Sequence, residues 1–259
     1  MAIRTYRGRR AAAGPGPALA QRLFCFPYAG AGAAVFHQWP DHLPSDLELC
    51  VPCLPGRDSR ADEPAASDMA PLIASLAQDL LPLLSVPYAL FGHSMGAFIA
   101  FDLAHELADL GRPPAHLFVS AQRGPRLPYA GRPIFALPDK EFLAGILARY
   151  DSIPRQILEQ EDLMAVLLRR FRGDFTLVEN FRYRAATRLT CPITAFAGAD
   201  DPQCAGEQVR AWEAETANQF RLHLLPGGHF FLHSSRDELL SLMREQLECR
   251  PPSREICTR

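Results

Sequence analysis

Acyl transfer needs a hydroxyl or thiol that attacks a carbonyl, an imidazole that takes its proton, and a carboxylate that orients the imidazole. The chain offers each in turn. Tyr88-Ala-Leu-Phe-Gly92-His-Ser94-Met-Gly96-Ala-Phe98 is an apolar run, then Gly-x-Ser-x-Gly, then a segment with one apolar face. A strand passing into a helix through so sharp a turn presses the backbone at Ser94 against its neighbours, so Gly92 and Gly96 must lack side chains. Ser94 then projects at a helix N-terminus, where unused N–H groups and the helix dipole favour a developing oxyanion.

Serine is a poor nucleophile without a base, and with this motif the partners follow in the order acid, then histidine. Gly198-Ala-Asp200-Asp201-Pro202 follows one later apolar run, and Pro226-Gly-Gly-His229-Phe230 follows another. The glycines give the His229 imidazole room to reach the nucleophile. Pro202 biases Asp201 toward extended backbone, which suits a side chain reaching from a strand end; Asp200 is the alternative, with a turn cap as its other role. The remaining histidines (37, 42, 93, 105, 116, 223 and 233) have no comparable setting. His229 and His233 have the spacing of a helical metal pair, but no third ligand cluster accompanies them, so no metal and no cofactor are expected. Near the start, Leu23-Phe-Cys-Phe-Pro27-Tyr28-Ala29-Gly30-Ala-Gly32 runs a first strand into a small-residue loop. The amides of Ala29 and Met95 are the expected oxyanion donors. The loop lacks the Gly-x-Gly-x-x-Gly spacing and no lysine follows, which argues against a nucleotide cradle.

These residues must be positioned by a scaffold. Short runs rich in Leu, Phe and Val occur at Arg22–Pro27, Leu47–Leu54, Tyr88–Phe91, His116–Ser120, Pro192–Ala197 and Phe220–Leu225. They read as buried parallel strands. Between them lie helical patterns at Pro71–Leu84, Met95–Leu110, Glu207–Thr216 and Asp237–Leu247, so the class is α/β, a mostly parallel sheet with helices on both faces. From about 138 to 188 three helical patterns (Asp139–Tyr150, Arg155–Phe171 and Phe175–Tyr183) interrupt the alternation as an insertion, a candidate lid. Residues 1–20 read as an unpacked leader, 21–249 as the domain and 250–259 as a flexible tail.

With 259 residues, 48% hydrophobic and 22% charged, the chain has room for one large core. Its formal net charge of −2 gives no footprint for nucleic acid or anionic membrane, and neither partner is expected. No apolar run is long enough to span a membrane and the N-terminus has no signal-peptide core, so a cytoplasmic protein is expected. Seven scattered cysteines, including the Cys50-x-x-Cys53 pair in a strand-like setting, read as buried reduced thiols rather than a metal or redox site.

Taken together, the chain resembles the type II thioesterases, stand-alone α/β-hydrolases of polyketide and nonribosomal peptide assembly lines. The resemblance covers about residues 20 to 248. It rests on Phe26-Pro-Tyr-Ala-Gly30 with Phe36 and Trp39, Leu54-Pro-Gly-Arg57, Gly92-His-Ser-Met-Gly96, Gly198-Ala-Asp-Asp201-Pro and Leu225-Pro-Gly-Gly-His229-Phe. It implies an α/β-hydrolase fold, a Ser94, Asp201 and His229 triad, and hydrolysis of acyl thioesters from the phosphopantetheine arm of an acyl or peptidyl carrier protein. The insertion would be the family's mobile lid. Carrier proteins are typically acidic, and Arg57, Arg60, Arg123, Arg126 and Arg132 are expected in loops able to face one. A monomer is expected. Other readings are a small-molecule carboxylesterase, an acyltransferase of the same fold, or a catalytically silent scaffold.

Overall fold

In the computed structural model, which describes residues 3–7, 19–150, 158–184 and 187–248, seven strands form one sheet. These are β1 (Ile3–Arg7), β2 (Gln21–Phe26), β3 (Leu47–Pro52), β4 (Tyr88–His93), β5 (His116–Ser120), β6 (Ile193–Gly198) and β7 (Phe220–Leu225). Their spatial order is β1-β3-β2-β4-β5-β6-β7. All pairings from β3 to β7 are parallel; β1 alone runs antiparallel, against β3.

The helices are α1 (Met69–Leu80), α2 (Met95–Asp109), α3 (Asp139–Arg149), α4 (Glu161–Glu179), α5 (Gly206–Arg210), α6 (Phe231–Ser234) and α7 (Arg236–Glu248). Along each inner strand successive side chains leave on opposite faces. Phe24, Leu90, Leu117 and Ile193 pack with α1 and α2, while Leu23, Phe91, Phe118 and Phe196 pack with Phe36, Trp39 and α7. Each such Leu or Phe taken fully from water contributes about 1.5–3 kcal/mol. Trp39 sits edge-on to Phe91 and to Phe36, all three buried, so the Phe36 and Trp39 of the sequence motif support β4 from beneath. A third cluster, with Phe142, Ile146, Phe171 and Phe175 at its centre, joins α3 to α4 above the sheet.

Three sequence expectations are corrected. The leader is not wholly unpacked, since Ile3–Arg7 pair with β3 in the register Ile3 to Pro52 and Arg7 to Glu48. The outer edge of β3 would otherwise expose its backbone donors and acceptors. Within the insertion, the two patterns expected at Arg155–Phe171 and Phe175–Tyr183 are, over the described residues, one helix, Glu161–Glu179. Gly173 lies inside it because a Cβ there would meet Ala65 Cβ at 2.8 Å, so the glycine serves a helix-to-loop approach. The segment Glu207–Thr216 divides into α5 and a 3-10 turn, Ala211–Glu215. Residues 151–157, 185–186 and the tail from 249 lie outside the described residues. No helix among those described is long and apolar enough to cross a membrane.

Candidate active site

β2 connects to β3 on one side of it, while β4 lies on the other and continues to β5. A crevice opens at the carboxyl ends of strands where connections diverge in this way. The residues singled out from the sequence gather there, because each follows a strand end: Ala29 after β2, Ser94 after β4, Asp201 after β6 and His229 after β7.

The turn at Ser94 is as tight as its glycines imply. Ser94 has φ 55° and ψ −117°, a conformation that costs about 1–3 kcal/mol for a residue with a Cβ. A Cβ on Gly92 would stand 2.0 Å from Gly96 O, and one on Gly96 would stand 2.1 Å from Phe26 O. The Ser94 amide donates to Ser120 O at 2.8 Å, fixing the turn to β5. Met95 begins α2, so its N–H falls outside the i to i−4 ladder. Ala29 lies with Ser94 in the wall of one cavity.

His229 Nε2 is 3.0 Å from Ser94 Oγ and His229 Nδ1 is 2.8 Å from Asp201 Oδ2. The second Asp201 oxygen accepts the Gln203 amide at 2.8 Å. Asp200 makes no such contact: it is exposed, and its amide donates to Gly227 O. With Nδ1–H held by a carboxylate, Nε2 is the nitrogen left to accept a proton from the serine. His233 Nε2 lies 3.1 Å from Tyr28 Oη.

Two cavities meet at Ser94 and His229. One is lined by Ile146, Phe171, Phe175 and Phe230. The other is lined by Gln122, Arg123, Tyr129, Gln203 and Gln208. Tyr150 and Val178 belong to both walls. The Tyr150 ring lies 4.9 Å from that of His229, and burial raises its hydroxyl pKa well above the ordinary value, so it stays a neutral donor.

Two supporting residues escaped sequence reasoning. His93, placed with the histidines that lacked a setting, is fully buried, with Nε2 2.9 Å from His229 O and Nδ1 2.9 Å from Ser120 Oγ. A carbonyl only accepts, so Nε2 carries the proton and Nδ1 accepts from the Ser120 hydroxyl. Burial and the neighbouring His229 hold its pKa well below 6.5, so the brace is neutral. Its position inside the Gly-x-Ser-x-Gly motif was the available signal. Asp174 is the second. It is buried in α4, accepts the Gly30 amide at 2.7 Å, and pairs with Arg57. A carboxylate between Phe171 and Phe175 on the apolar stripe of a helix was its signal.

The arginine expectation also changes. Arg57 is 2% exposed and Arg123 is 8% exposed, so neither is a surface docking residue. Arg60 pairs with Glu63 and Arg126 with Glu215, while Arg132 is exposed. Cys50 and Cys53 are buried and outside any disulfide. Burial of those thiols in strand and turn gives them the character of core residues.

A family model described as Thioesterase domain matches residues 21–247. Gramicidin S biosynthesis protein GrsT of Aneurinibacillus migulanus is 37% identical over 227 residues, covering 87% of this chain and 88% of that protein. Linear gramicidin dehydrogenase LgrE of Brevibacillus parabrevis is 40% identical over 230 residues, covering 87% of each. The redox activity in that name has no glycine fingerprint here, since Val35 stands where Gly30-x-Gly32 would need its third glycine. Among solved structures, the type II thioesterase BorB from the borrelidin biosynthetic cluster superimposes with a TM-score of 0.82 at 33% identity, covering 95% of this chain and 97% of that one. A matched family model over most of the chain, a sheet of the same architecture and a serine at its elbow lead to one conclusion: this chain belongs to the thioesterase family and is a thioester hydrolase of the α/β-hydrolase fold.

Proposed function

We propose that this thioesterase removes acyl groups from the phosphopantetheine thiol of an acyl or peptidyl carrier protein, clearing stalled or misprimed units from an assembly line. The observation that carries the reading is the hydrogen-bonded series Ser94, His229 and Asp201 at the junction of two cavities, one walled by aromatic and aliphatic side chains and one that also holds Arg123 and three glutamines. A thioester presents two limbs around its carbonyl, and the two cavities offer a place for each.

In this reading Ser94 Oγ attacks the thioester carbonyl while His229 Nε2 takes its proton and Asp201 holds the imidazole tautomer. The tetrahedral oxyanion is met by the amides of Ala29 and Met95. Collapse breaks the C–S bond and the thiolate leaves, taking the His229 proton. Water then adds to the acyl-enzyme through the reverse relay, releasing a carboxylic acid and restoring Ser94. A thiolate is a better leaving group than an amine, so protonation at departure is less demanding than in a protease. The insertion at 138–188 covers the acyl cavity through Phe171 and Phe175, and exclusion of water there strengthens the polar interactions inside.

The deciding experiment follows the intact mass of a propionyl-loaded carrier protein with the native enzyme and with Ser94→Ala, beside an aryl ester at matched concentration. Deacylation that requires Ser94 supports the reading. Ester cleavage with the carrier left loaded would replace it with a small-molecule carboxylesterase.

A further inference from the structure

Two arginines are buried among the described residues, Arg57 and Arg123, and they differ in what meets them. Arg57 meets Asp174, Arg126 meets Glu215 at 2.8 Å, and Arg149 meets Glu179 at 3.2 Å. Arg123 has no carboxylate partner among the described residues. Its Nε donates to Leu127 O at 3.1 Å and its Nη1 to Gln122 Oε1 at 3.3 Å. The guanidinium carbon lies 4.9 Å from the centre of the Phe98 ring and 5.4 Å from that of Tyr129. A cation 8% exposed and held only by neutral groups is an expensive thing to bury, and an anion arriving beside it recovers part of that cost.

The placement of this cation matters. Arg123 lines the second cavity, whose wall also contains Ser94 and His229. Gln122, Gln203 and Gln208 add neutral hydrogen-bonding groups around it, while the Tyr129 hydroxyl donates to Glu179 Oε1 at 3.0 Å. The thiol of Cys204, in the same wall, is pushed up to about 12 by burial and stays uncharged. Two carboxylates border this region: Asp201 has Oδ2 engaged by His229 and Oδ1 by the Gln203 amide, and Glu179 is engaged by the Tyr129 hydroxyl, Arg149 and the Ile134 and Phe135 amides.

We propose that Arg123 is a specificity-determining residue that binds a carboxylate on the acyl group itself, so that half-thioesters of short dicarboxylic acids are preferred substrates. The inference rests on the thioesterase reading above, since the acyl carbonyl must sit at Ser94 for its tail to reach the guanidinium. Arginine suits the task because its planar fork meets both oxygens of a carboxylate. An uncharged acyl chain lies in the apolar cavity with the thiol limb in the other; a charged acyl chain lies in the Arg123 cavity, and the thiol limb then lies along the apolar one.

The test compares N-acetylcysteamine thioesters of malonate and succinate with their neutral isosteres, the isovaleryl and 4-methylpentanoyl thioesters. Native enzyme is measured beside Arg123→Gln and Arg123→Lys. The ratio of kcat/KM for each diacid to its neutral isostere should fall about 10- to 100-fold in Arg123→Gln. Arg123→Lys, which keeps the charge and loses the fork, should fall between, and it carries the comparison if the glutamine variant does not fold. An unchanged ratio, with both series lost equally or neither lost, overturns the proposal and gives Arg123 to the thiol limb or to the fold. An arm independent of turnover measures the Tm of Ser94→Ala protein with free malonate or succinate. Stabilisation that the neutral diamides malonamide and succinamide do not reproduce, and that Arg123→Gln removes, supports the anion site even if no thioester is hydrolysed; equal shifts with the diamides reject it.

Discussion

Asp174, in the middle of the helix that covers the acyl cavity, accepts a hydrogen bond from the amide of Gly30, the residue after Ala29. Its other oxygen meets Arg57, which also donates to Ala31 O at 2.8 Å. One buried carboxylate thus ties α4 to the loop that presents the Ala29 amide. Phe171 of α4 closes over Gly30 so tightly that a Cβ on that glycine would stand 2.1 Å from its ring. α4 is therefore held to the body of the fold.

Removing the charge of Asp174 isolates this connection. Asp174→Asn leaves Arg57 buried without a counter-charge, and loss of one member of such a pair costs about 3–5 kcal/mol. Urea unfolding should show that loss. Replacing both partners with apolar residues of similar size should recover most of the stability while kcat stays depressed, because the Gly30 amide has lost its acceptor. Full recovery of kcat in the double variant would show that the loop keeps its geometry unaided.

The second prediction concerns the tautomer of His229. Asp201→Asn should lower kcat about ten-thousandfold with little change in Tm, since an amide in that place can donate to Nδ1 and turn the wrong nitrogen toward Ser94. Ser94→Ala should be at least as inactive, and should not be labelled by a serine-directed phosphonate. An Asp201→Asn enzyme within a few fold of the native rate would remove Asp201 from the mechanism.

A third concerns acidity and the fold. Burial moves the His116 pKa from its ordinary 6.5 to about 4, and its Nε2 is 2.9 Å from Thr194 Oγ1. Between these values the unfolded chain binds a proton that the folded chain refuses. Stability should therefore fall as the pH drops through that window, by up to about 1.4 kcal/mol per pH unit from this group, and this contribution levels off below the folded value. Unfolding at about pH 7.5 and about pH 5.5 should show a smaller difference in His116→Gln than in the native protein, since glutamine keeps a donor and does not titrate. Identical differences would assign the effect elsewhere, His93 being the next group with the same direction of shift.

The fourth concerns the elbow. Gly92→Ala sets a methyl group against the backbone of Gly96, where nothing can rotate away. A cost of about 3 kcal/mol or more is expected, seen as a lowered Tm or loss of soluble protein. Gly111→Ala is the contrast: that Cβ would meet nothing within 4 Å, although the φ of +72° carries a strain of its own. The Gly92 variant should be the more damaged of the two.

Much of the scaffold was legible because its signals are local. Apolar runs bounded by glycine and proline place β2 to β7 within a residue or two, and strand, Gly-x-Ser-x-Gly and helix in succession specify the elbow through sterics confined to neighbouring residues. The edge strand β1 was missed, because Ile3–Arg7 become a strand only when β3 offers an open edge far along the chain. Ser94, Asp201 and His229 were legible as candidates from the loops that carry them. Asp201 is favoured over Asp200 by the proline that follows it, and the fold brings its carboxylate to within 2.8 Å of His229 Nδ1. His93 bracing His229, Asp174 binding Gly30, and Arg123 buried with no carboxylate partner among the described residues are products of packing between distant segments. The sequence by itself determined where the reactive groups lie along the chain, since turn sterics and strand periodicity act over a few residues. Only the tertiary structure decided which charges are met and which are left waiting, because burial and ion pairing depend on what the rest of the fold brings alongside.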